Sequence, residues 1–210
     1  MNTMLIIRSA RAVQQSILSH EADIEMLDRA IGDGDHFINV RRGCEVVAAL
    51  APELEPLAPS EALQKIGMKL LGTIGGASGP LIASFFLAMG KTLDGIVEPE
   101  RHDFAAAFAA GVEAIKLRGK ADVGEKTMLD VLIPVSRVLV RLTESGADLA
   151  TLTAKVREEA VGGMLATKDM VATKGRAHFL GERAIGHIDP GAKTCQVAIS
   201  AVCDLVIAAA

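Results

Sequence analysis

The sequence predicts an all-α fold in one domain spanning residues 1–210. Half of the residues are hydrophobic, whereas aromatic residues make up only 3% and both Trp and Tyr are absent. Strands favour aromatic and β-branched side chains, so this composition points to closely packed helices. Apolar residues also recur at helical spacing, and short turn-rich breaks separate the periodic segments. We therefore expect eight antiparallel amphipathic helices, arranged as a bundle or a closed ring.

The first half of the chain is predicted to contain four of these helices. Leu5, Ala12 and Ile17 have the spacing that directs one face of the first helix toward a core. Ser60 is expected to cap the third helix, because its side-chain oxygen can accept a hydrogen bond from a free backbone N–H. The segment 22–31 leads into a Gly- and Asp-rich turn that no helix interior tolerates. The predicted helices run over about 4–20, 39–50, 61–73 and 81–93.

The second half is predicted to contain the other four helices. Thr127 and Asp130 have the spacing of a capping box at the start of the sixth helix. Pro134 follows closely, so it lies near the first turn or kinks the helix. The seventh helix is long, the pair Gly162-Gly163 is a candidate break in it, and a loop over 174–191 follows. These helices are predicted over about 104–117, 128–144, 148–173 and 192–207.

Composition and charge exclude several classes of function. The formal net charge is −4 and the basic residues are scattered, so no basic stripe is available to bind nucleic acid. Three Cys residues without the spacing of a disulfide framework indicate a reducing compartment. No uncharged apolar stretch reaches the ~18 residues typical of a membrane span. We therefore expect a cytoplasmic protein that binds neither nucleic acid nor a membrane.

The first break between helices, from Asp28 to His36, carries the densest group of acidic residues. Asp28, Asp33 and Asp35 place three carboxylates within eight residues, and two glycines let the chain fold back. Like charges this close repel unless a cation lies between them, and hard oxygen ligands favour Mg²⁺. The spacing and closing Glu of an EF-hand are missing. A plain turn, with Asp35 capping the next helix, fits the pattern equally well.

Three further breaks are polar and Gly-rich, as functional loops commonly are. Residues 72–80 expose backbone N–H groups at a helix start that favours anions, although close helix packing explains the glycines as well. Residues 118–128 offer basic side chains and Met128. This methionine packs on a purine, or it is a core residue that belongs to an ordinary surface loop. Residues 174–191 contain Arg176, which binds phosphate or belongs to a solvated, salt-bridged loop. Together the four breaks indicate a Mg²⁺–phosphate site for phosphoryl transfer or nucleotide binding.

Taken in order, the four breaks resemble the nucleotide-binding L subunit of dihydroxyacetone kinase, which is the C-terminal L domain in fused enzymes. The ordered set is specific and covers most of the chain from Asp28 to the eighth helix. The resemblance implies a closed ring or barrel of eight antiparallel helices, with the nucleotide site in the loops at one end. The matching motifs are Asp28-x4-Asp33-x-Asp35-His36, Gly75-Gly76-Ala77-Ser78-Gly79-Pro80, Arg118-Gly119-Lys120, Asp122-x-Gly124-Glu125-Lys126-Thr127-Met128-x-Asp130 and Lys174-Gly175-Arg176 through Gly191.

The resemblance also implies which residues form the site. Asp28, Asp33 and Asp35 are expected to bind two Mg²⁺ ions and, together with Arg176, to act in catalysis. Phe37 stands where the family usually has Gly, so its side chain is expected to narrow the nucleotide rim or to alter docking of a partner. The contacts implied for ADP or ATP are His36, Phe37, Ile38, Asn39, Ala77, Ser78, Gly119, Thr127, Met128, Arg176, Asp189, Pro190 and Gly191.

The function implied by the resemblance is phosphoryl transfer to dihydroxyacetone, which a separate K subunit holds. In the phosphotransferase-system type, ADP stays bound, a phosphocarrier subunit phosphorylates it, and the phosphoryl group passes to dihydroxyacetone. One alternative is the L subunit of a split ATP-dependent kinase for a related ketose or sugar alcohol. Another is a nucleotide-sensing interaction module. The implied partners are therefore the K subunit and the phosphocarrier, with a homodimer as a further candidate assembly.

Overall fold

The computed structural model describes residues 2–76 and 78–209, and this part of the chain is helical without a strand. The prediction of an all-α fold is confirmed. A 3₁₀ helix at Thr167–Asp169 and a 3₁₀ segment at Arg176–Ala184, which is interrupted by a kink at Gly181, follow the ninth α-helix. The α-helices of the described residues are α1 Thr3–Ser19, α2 Glu21–Ile31, α3 His36–Ala49, α4 Ala51–Leu54, α5 Pro59–Leu71, α6 Ser78–Thr92, α7 Arg101–Gly119, α8 Leu129–Glu144, α9 Leu149–Ala166 and α10 Pro190–Ala208.

Two short helices in the first half differ from the sequence expectation of eight helices. α2 begins directly after His20, and Glu21 and Asp23 in its first turn complement the positive end of the helix dipole. α4 has a proline in its first turn, where the missing N–H costs no hydrogen bond. The other eight helices each contain 13 residues or more.

The cap predicted at the start of α5 is wrong. The helix begins at Pro59, and the preceding Ala58 occupies the cap position. Glu61 accepts a hydrogen bond from Ala58 N at 3.0 Å, so an acidic side chain in the first turn takes the place of the expected hydroxyl. Ser60 lies buried inside the first turn.

α9 is shorter than predicted and is not broken. It ends at Ala166, and a 3₁₀ turn follows where the sequence pattern extends the helix to about 173. The helix continues through Gly162 and Gly163. A Cβ on Gly163 would lie 2.3 Å from the backbone oxygen of Asp130 near the start of α8, so this glycine allows two helices to approach closely. Pro134 lies inside α8.

Consecutive long helices pack side by side. From α5 to α10, each helix contacts the next one along the chain. α10 also packs against α1, α1 against α3, and α3 against α5. Because short connections join antiparallel neighbours, we expect every second connection to lie at the same end of the molecule. The connections at this end precede α3 and join α5 to α6, α7 to α8, and α9 to α10, and they are the four breaks identified in the sequence.

Apolar side chains and small residues pack these helices together. Phe85 on α6 makes edge-to-face contacts with Phe86 and with Phe108 of α7, at centroid distances of 5.2 and 5.4 Å. A Cβ on Gly111 of α7 would lie 2.6 Å from Phe85 Cδ2, so the ring packs on bare backbone. The core between α8, α9 and α10 consists of Val131, Val135, Val138, Leu152, Val156, Ala160, Met164, Ala192 and Cys203.

α10 is long and apolar enough, by length and composition alone, to cross a membrane. The sequence expectation concerned uncharged stretches, whereas α10 includes Lys193 and Asp204. α10 contacts α1, α2, α8 and α9. Its apolar residues, among them Val197 and Cys203, contribute to the core, and 22% of the apolar 18-residue window is buried.

Candidate functional site

Three aspartates come together where α2 ends and α3 begins. Asp28 belongs to the last turn of α2, Asp33 lies in the connecting turn, and Asp35 is the N-cap residue of α3. One ligand oxygen from each lies within 4.8 Å of the others. Asp28 is buried, whereas Asp33 and Asp35 are exposed to solvent. The Asp35 side chain makes no capping hydrogen bond to α3, so the alternative in which Asp35 caps this helix is wrong.

The turn after α2 is built around the carboxylate of Asp28. Asp28 Oδ2 accepts a hydrogen bond from His36 N at 2.9 Å. Gly32 N donates to the backbone oxygen of Asp28 at 2.6 Å and brings the turn against the side chain. A Cβ on Gly32 would lie only 1.8 Å from Asp28 Oδ1. Any other residue at position 32 would therefore displace this carboxylate.

The charge of the cluster is partly balanced by Arg176, whose Nε lies 2.8 Å from Asp33 Oδ2. Burial, together with the hydrogen bond and charge of Asp33, raises the pKa of Asp35, and a hydrogen bond from Asn39 opposes this shift. Carboxylates this close repel one another unless a cation or a proton lies between them. The donor set of hard carboxylate oxygens, one of them held by backbone contacts, fits Mg²⁺.

His36 connects the aspartate cluster with the start of α10. Its Nε2 lies 2.9 Å from the hydroxyl of Thr194, and that hydroxyl donates to the backbone oxygen of Pro190 at 2.9 Å. The Thr194 hydroxyl is therefore left to accept from His36, so we assign the ring proton to Nε2. Burial lowers the pKa of His36, against the opposing charges of the aspartates, which favours a neutral imidazole.

The side chain of Phe37 does not lie at a nucleotide rim. It is 1% exposed and packs with Ile17, Ile24 and Val197. The prediction that this side chain narrows the rim is therefore wrong, because the first turn of α3 directs it into the core. A backbone contact at this position stays a prediction. Ile38, the next residue, is 45% exposed and faces outward.

Asn39 and Ser78 both lie next to Gly75 in the connection between α5 and α6. Asn39 Oδ1 is 3.8 Å from the position of a Cβ on Gly75, so α3 contacts the Gly-rich break. Ser78 begins α6, and its hydroxyl donates to the backbone oxygen of Gly75 at 3.3 Å. Ala77, also predicted to bind phosphate, lies outside the described residues.

Gly119 and Met128 lie at the two ends of the connection between α7 and α8. A Cβ on Gly119, the last residue of α7, would lie 3.3 Å from Leu81 Cδ2 of α6. Leu81 and Met128 both pack, partly buried, against the core cluster of Val112, Ile115, Leu129, Leu132 and Ile133. The predicted borders of the adenine thus share one apolar cluster.

The predicted residues 189–191 lie beside Met128. Asp189 caps α10, because its Oδ2 accepts from Ala192 N at 2.7 Å. A Cβ on Gly191 would lie 3.7 Å from Met128 Cβ. Burial raises the pKa of Asp189 to about 7, although the N–H of Ala192 opposes the shift. The connection before α8 and the connection before α10 therefore meet next to Thr127 and Met128.

Sequence reasoning missed several residues that shape this end of the molecule. Gly32 and Lys126 lie within the matched motifs, but the spacing of the motifs does not predict their roles. Gly32 leaves room for the Asp28 carboxylate, and the Lys126 side chain is only 1% exposed. Thr194 lies inside α10, and Thr167 accepts a hydrogen bond from Asp189 N at 3.0 Å. No sequence signal distinguishes these two threonines from ordinary helix and turn residues.

Residues 30–204 match the family model of the DAK2 domain. This range contains Asp33, Asp35, Arg176 and the predicted nucleotide contacts, and it begins two residues after Asp28.

Several relatives are similar over most of the chain. The ADP-binding subunit of PEP-dependent dihydroxyacetone kinase 1 of Listeria innocua is 44% identical over 167 residues, which are 79% of this chain and 78% of that protein. The ADP-binding subunit of the PTS-dependent dihydroxyacetone kinase of Lactococcus lactis is 43% identical over 182 residues, 86% of this chain and 85% of that protein. Triokinase/FMN cyclase of Homo sapiens is 32% identical over 92% of this chain, which spans 34% of that protein.

The fold is similar to that of solved structures. The dihydroxyacetone kinase from C. freundii in complex with AMP-PNP and Mg²⁺ has a TM-score of 0.74 and 25% identity, over 96% of this chain and 34% of that chain. Its native form has a TM-score of 0.73 at 24% identity and shows the fold. The resemblance predicted from the four breaks is confirmed, and the chain belongs to the DAK2 domain family.

Proposed function

We propose that this chain is the nucleotide-binding, phosphoryl-transferring subunit of a dihydroxyacetone kinase of the phosphotransferase-system type. The observation that carries the proposal is the cluster of Asp28, Asp33 and Asp35, with ligand oxygens within 4.8 Å of one another and Arg176 beside them. Relatives 37–44% identical that are named ADP-binding subunits of PEP- or PTS-dependent dihydroxyacetone kinases support it.

The aspartates would hold Mg²⁺, for which we propose two ions, and the metal would neutralise the phosphates of ADP or ATP. The Asp28 carboxylate is positioned for this role by the hydrogen bond from His36 N and by the absence of a side chain on Gly32. Arg176 is 70% exposed at its side chain and can turn its remaining N–H groups toward a phosphate. These two features bind and orient the phosphates, which is most of what phosphoryl transfer asks of a protein.

The base of the nucleotide would lie between Gly119 and Met128. Asp189, Pro190 and Gly191 would complete the pocket on the side of α10. Asn39 and Ser78 would contact the phosphates, together with Ala77 and the backbone of residues 36–38. The neutral imidazole of His36 would hold the phosphate side and the α10 side of the pocket together through Thr194.

The fold around the site supports a wider proposal on architecture. The eight long helices form a closed ring, because the order of packing neighbours runs from α1 through α3 and α5 to α10 and returns to α1. Residues 1–210 act as one domain, with the nucleotide site in the loops at one end. We place the protein in the cytoplasm, with a dihydroxyacetone-binding K subunit and a phosphocarrier subunit as partners, and with a homodimer as a further candidate.

A reconstituted assay tests this function. The chain is combined with a dihydroxyacetone-binding subunit, and formation of dihydroxyacetone phosphate is measured with a phosphorylated carrier and bound ADP, or with ATP alone. Turnover is expected with the carrier, only a single turnover with ATP, and none with Asp33→Asn. Sustained turnover with ATP and no carrier would overturn the proposal in favour of a split ATP-dependent kinase, which similarity to a triokinase also suggests.

A further inference from the structure

A lysine is enclosed in the connection between α7 and α8. Lys126 is 1% exposed, and its backbone has a positive φ of 60°. Lysine is rarely buried to this extent, and left-handed backbone is strained for a non-glycine residue. Neither property serves the aspartate cluster directly, since the ammonium group donates to the backbone oxygens of Thr167 and His187.

The ammonium group of Lys126 binds two other segments of the chain. Its Nζ donates to the backbone oxygen of Thr167, where α9 ends, and to that of His187 at 2.5 Å, just before α10. Three segments that are far apart in sequence therefore meet at one nitrogen atom. Without this nitrogen, the His187 oxygen would lose this donor, and the buried Thr167 oxygen would keep only the N–H of Met170 at 3.3 Å.

Acidic groups surround the ammonium of Lys126. Burial lowers the pKa of this group, while the charges of Asp189, Asp169 and Asp130 oppose the shift without outweighing it. The carboxylate of Asp130 accepts from Gly124 N and Thr127 N, so it also shapes the loop that carries Lys126. The loop, the cation and the carboxylates thus form one network next to the predicted pocket.

The two anchor points of Lys126 lie next to residues that we expect to contact the nucleotide. Thr127 and Met128 follow Lys126 directly in sequence. On the other side, His187 precedes Asp189 by two residues, and Thr167 accepts a hydrogen bond from Asp189 N at 3.0 Å. A displacement at Lys126 would therefore separate Met128 from Gly191, whose Cβ position is 3.7 Å from Met128 Cβ.

We propose that Lys126 is a positioning residue that holds residues 127–128 and 189–191 together as the base-binding side of the nucleotide pocket. The inference rests on the proposed function, because it assigns a nucleotide to this pocket. It assigns Lys126 no contact with the phosphates or the metal. Its loss should therefore affect the nucleotide and leave the aspartate cluster unchanged, whereas a general loss of folding would affect both.

The test compares Lys126→Met with Lys155→Met, a control on α9 where the lysine is exposed and paired with Glu158. Calorimetry with Mg²⁺ and ADP should show about tenfold to a hundredfold weaker binding for Lys126→Met only, because hydrogen bonds from a charged donor contribute a factor of this size. Mn²⁺ affinity without nucleotide should equal that of the wild type. ADP affinity within about twofold of the wild type, or equal losses of ADP and Mn²⁺ affinity, would overturn the proposal.

A second measurement separates this inference from the proposed function. Hydrogen exchange at the amides of Asp189 and Ala192 should accelerate in Lys126→Met, while exchange at His36 N should not change. Unchanged exchange at both amides would overturn the positioning role even if the wild type bound no ADP, an outcome that would itself overturn the proposed function. If Lys126→Met does not fold, Lys126→Gln, which keeps an N–H donor on a shorter side chain, takes its place with the same expected losses.

Discussion

At the scale of single residues, the Asp28 carboxylate occupies the space that a side chain on residue 32 would need. The distance of 1.8 Å between Asp28 Oδ1 and a Cβ on Gly32 is far below any van der Waals contact. The other carboxylate oxygen is held by His36 N at 2.9 Å. A methyl group at position 32 must therefore displace the Asp28 carboxylate from its present position.

Replacing Gly32 with alanine is expected to weaken metal binding by about tenfold or more, because one of three ligands is displaced. Electron paramagnetic resonance of Mn²⁺, titrated without nucleotide, measures this affinity. Gly72→Ala is the matched control, since a Cβ there would meet Lys69 O at an ordinary 3.9 Å. Equal Mn²⁺ affinities for Gly32→Ala and the control would contradict the assigned metal centre.

Asp189 gives a prediction on pH. Its pKa is raised from 3.8 to about 7 by burial, so the folded state binds the proton more tightly than the unfolded state. This contribution to the free energy of unfolding is present below pH ~4 and is lost as the pH rises to about 7, by a few kcal/mol at most, since one pKa unit corresponds to about 1.4 kcal/mol. Asp189→Asn keeps an N-cap acceptor and removes the titration.

Urea unfolding of the wild type and Asp189→Asn between pH 4 and 7.5 measures the effect. The stability of the wild type relative to the variant should fall as the pH rises through this interval. A difference in unfolding free energy that is constant with pH would show that the Asp189 carboxyl is not desolvated in the folded protein.

At the scale of helices, the adjacent residues Gly162 and Gly163 of α9 allow the effect of close packing on stability to be measured separately from that of helix propensity. Gly163→Ala is expected to destabilise the protein by about 1–3 kcal/mol, because its Cβ would lie 2.3 Å from Asp130 O. Gly162→Ala should instead stabilise it by about 0.5–1 kcal/mol, since no atom lies within 4 Å of that Cβ and alanine favours a helix. Urea unfolding of both variants checks this, and equal unfolding free energies would contradict the close packing of α8 and α9.

Helices were more predictable from the sequence than their ends. Apolar periodicity predicted all eight long helices, because each buries one face against its neighbours. The end of α9 was not predictable, since apolar spacing continues to Thr173. The backbone instead turns after Ala166, where the Thr167 hydroxyl accepts a hydrogen bond from Asp189 N. The start of α5 differed as well, because Pro59 and Glu61 replace the expected cap at Ser60.

At the scale of the whole molecule, contacts across the breaks assemble the candidate site. Arg176 pairs with Asp33, and Lys126 reaches His187, so the connection before α10 contacts two of the other three. The residue types needed for these contacts were predictable from the four breaks. The burial of Lys126 and the inward direction of Phe37 were not, because both depend on how distant helices pack.

The most direct test of the account is calorimetric titration of ADP into the nucleotide-free protein, with and without Mg²⁺, for the wild type and Asp28→Asn. The asparagine keeps an acceptor for His36 N and removes one negative metal ligand. The account predicts one ADP bound per chain with Mg²⁺, and binding at least about tenfold weaker either without the metal or in Asp28→Asn. No binding of ADP, or binding of equal strength in all four titrations, would contradict the assignment of a Mg²⁺–nucleotide site to this end of the molecule.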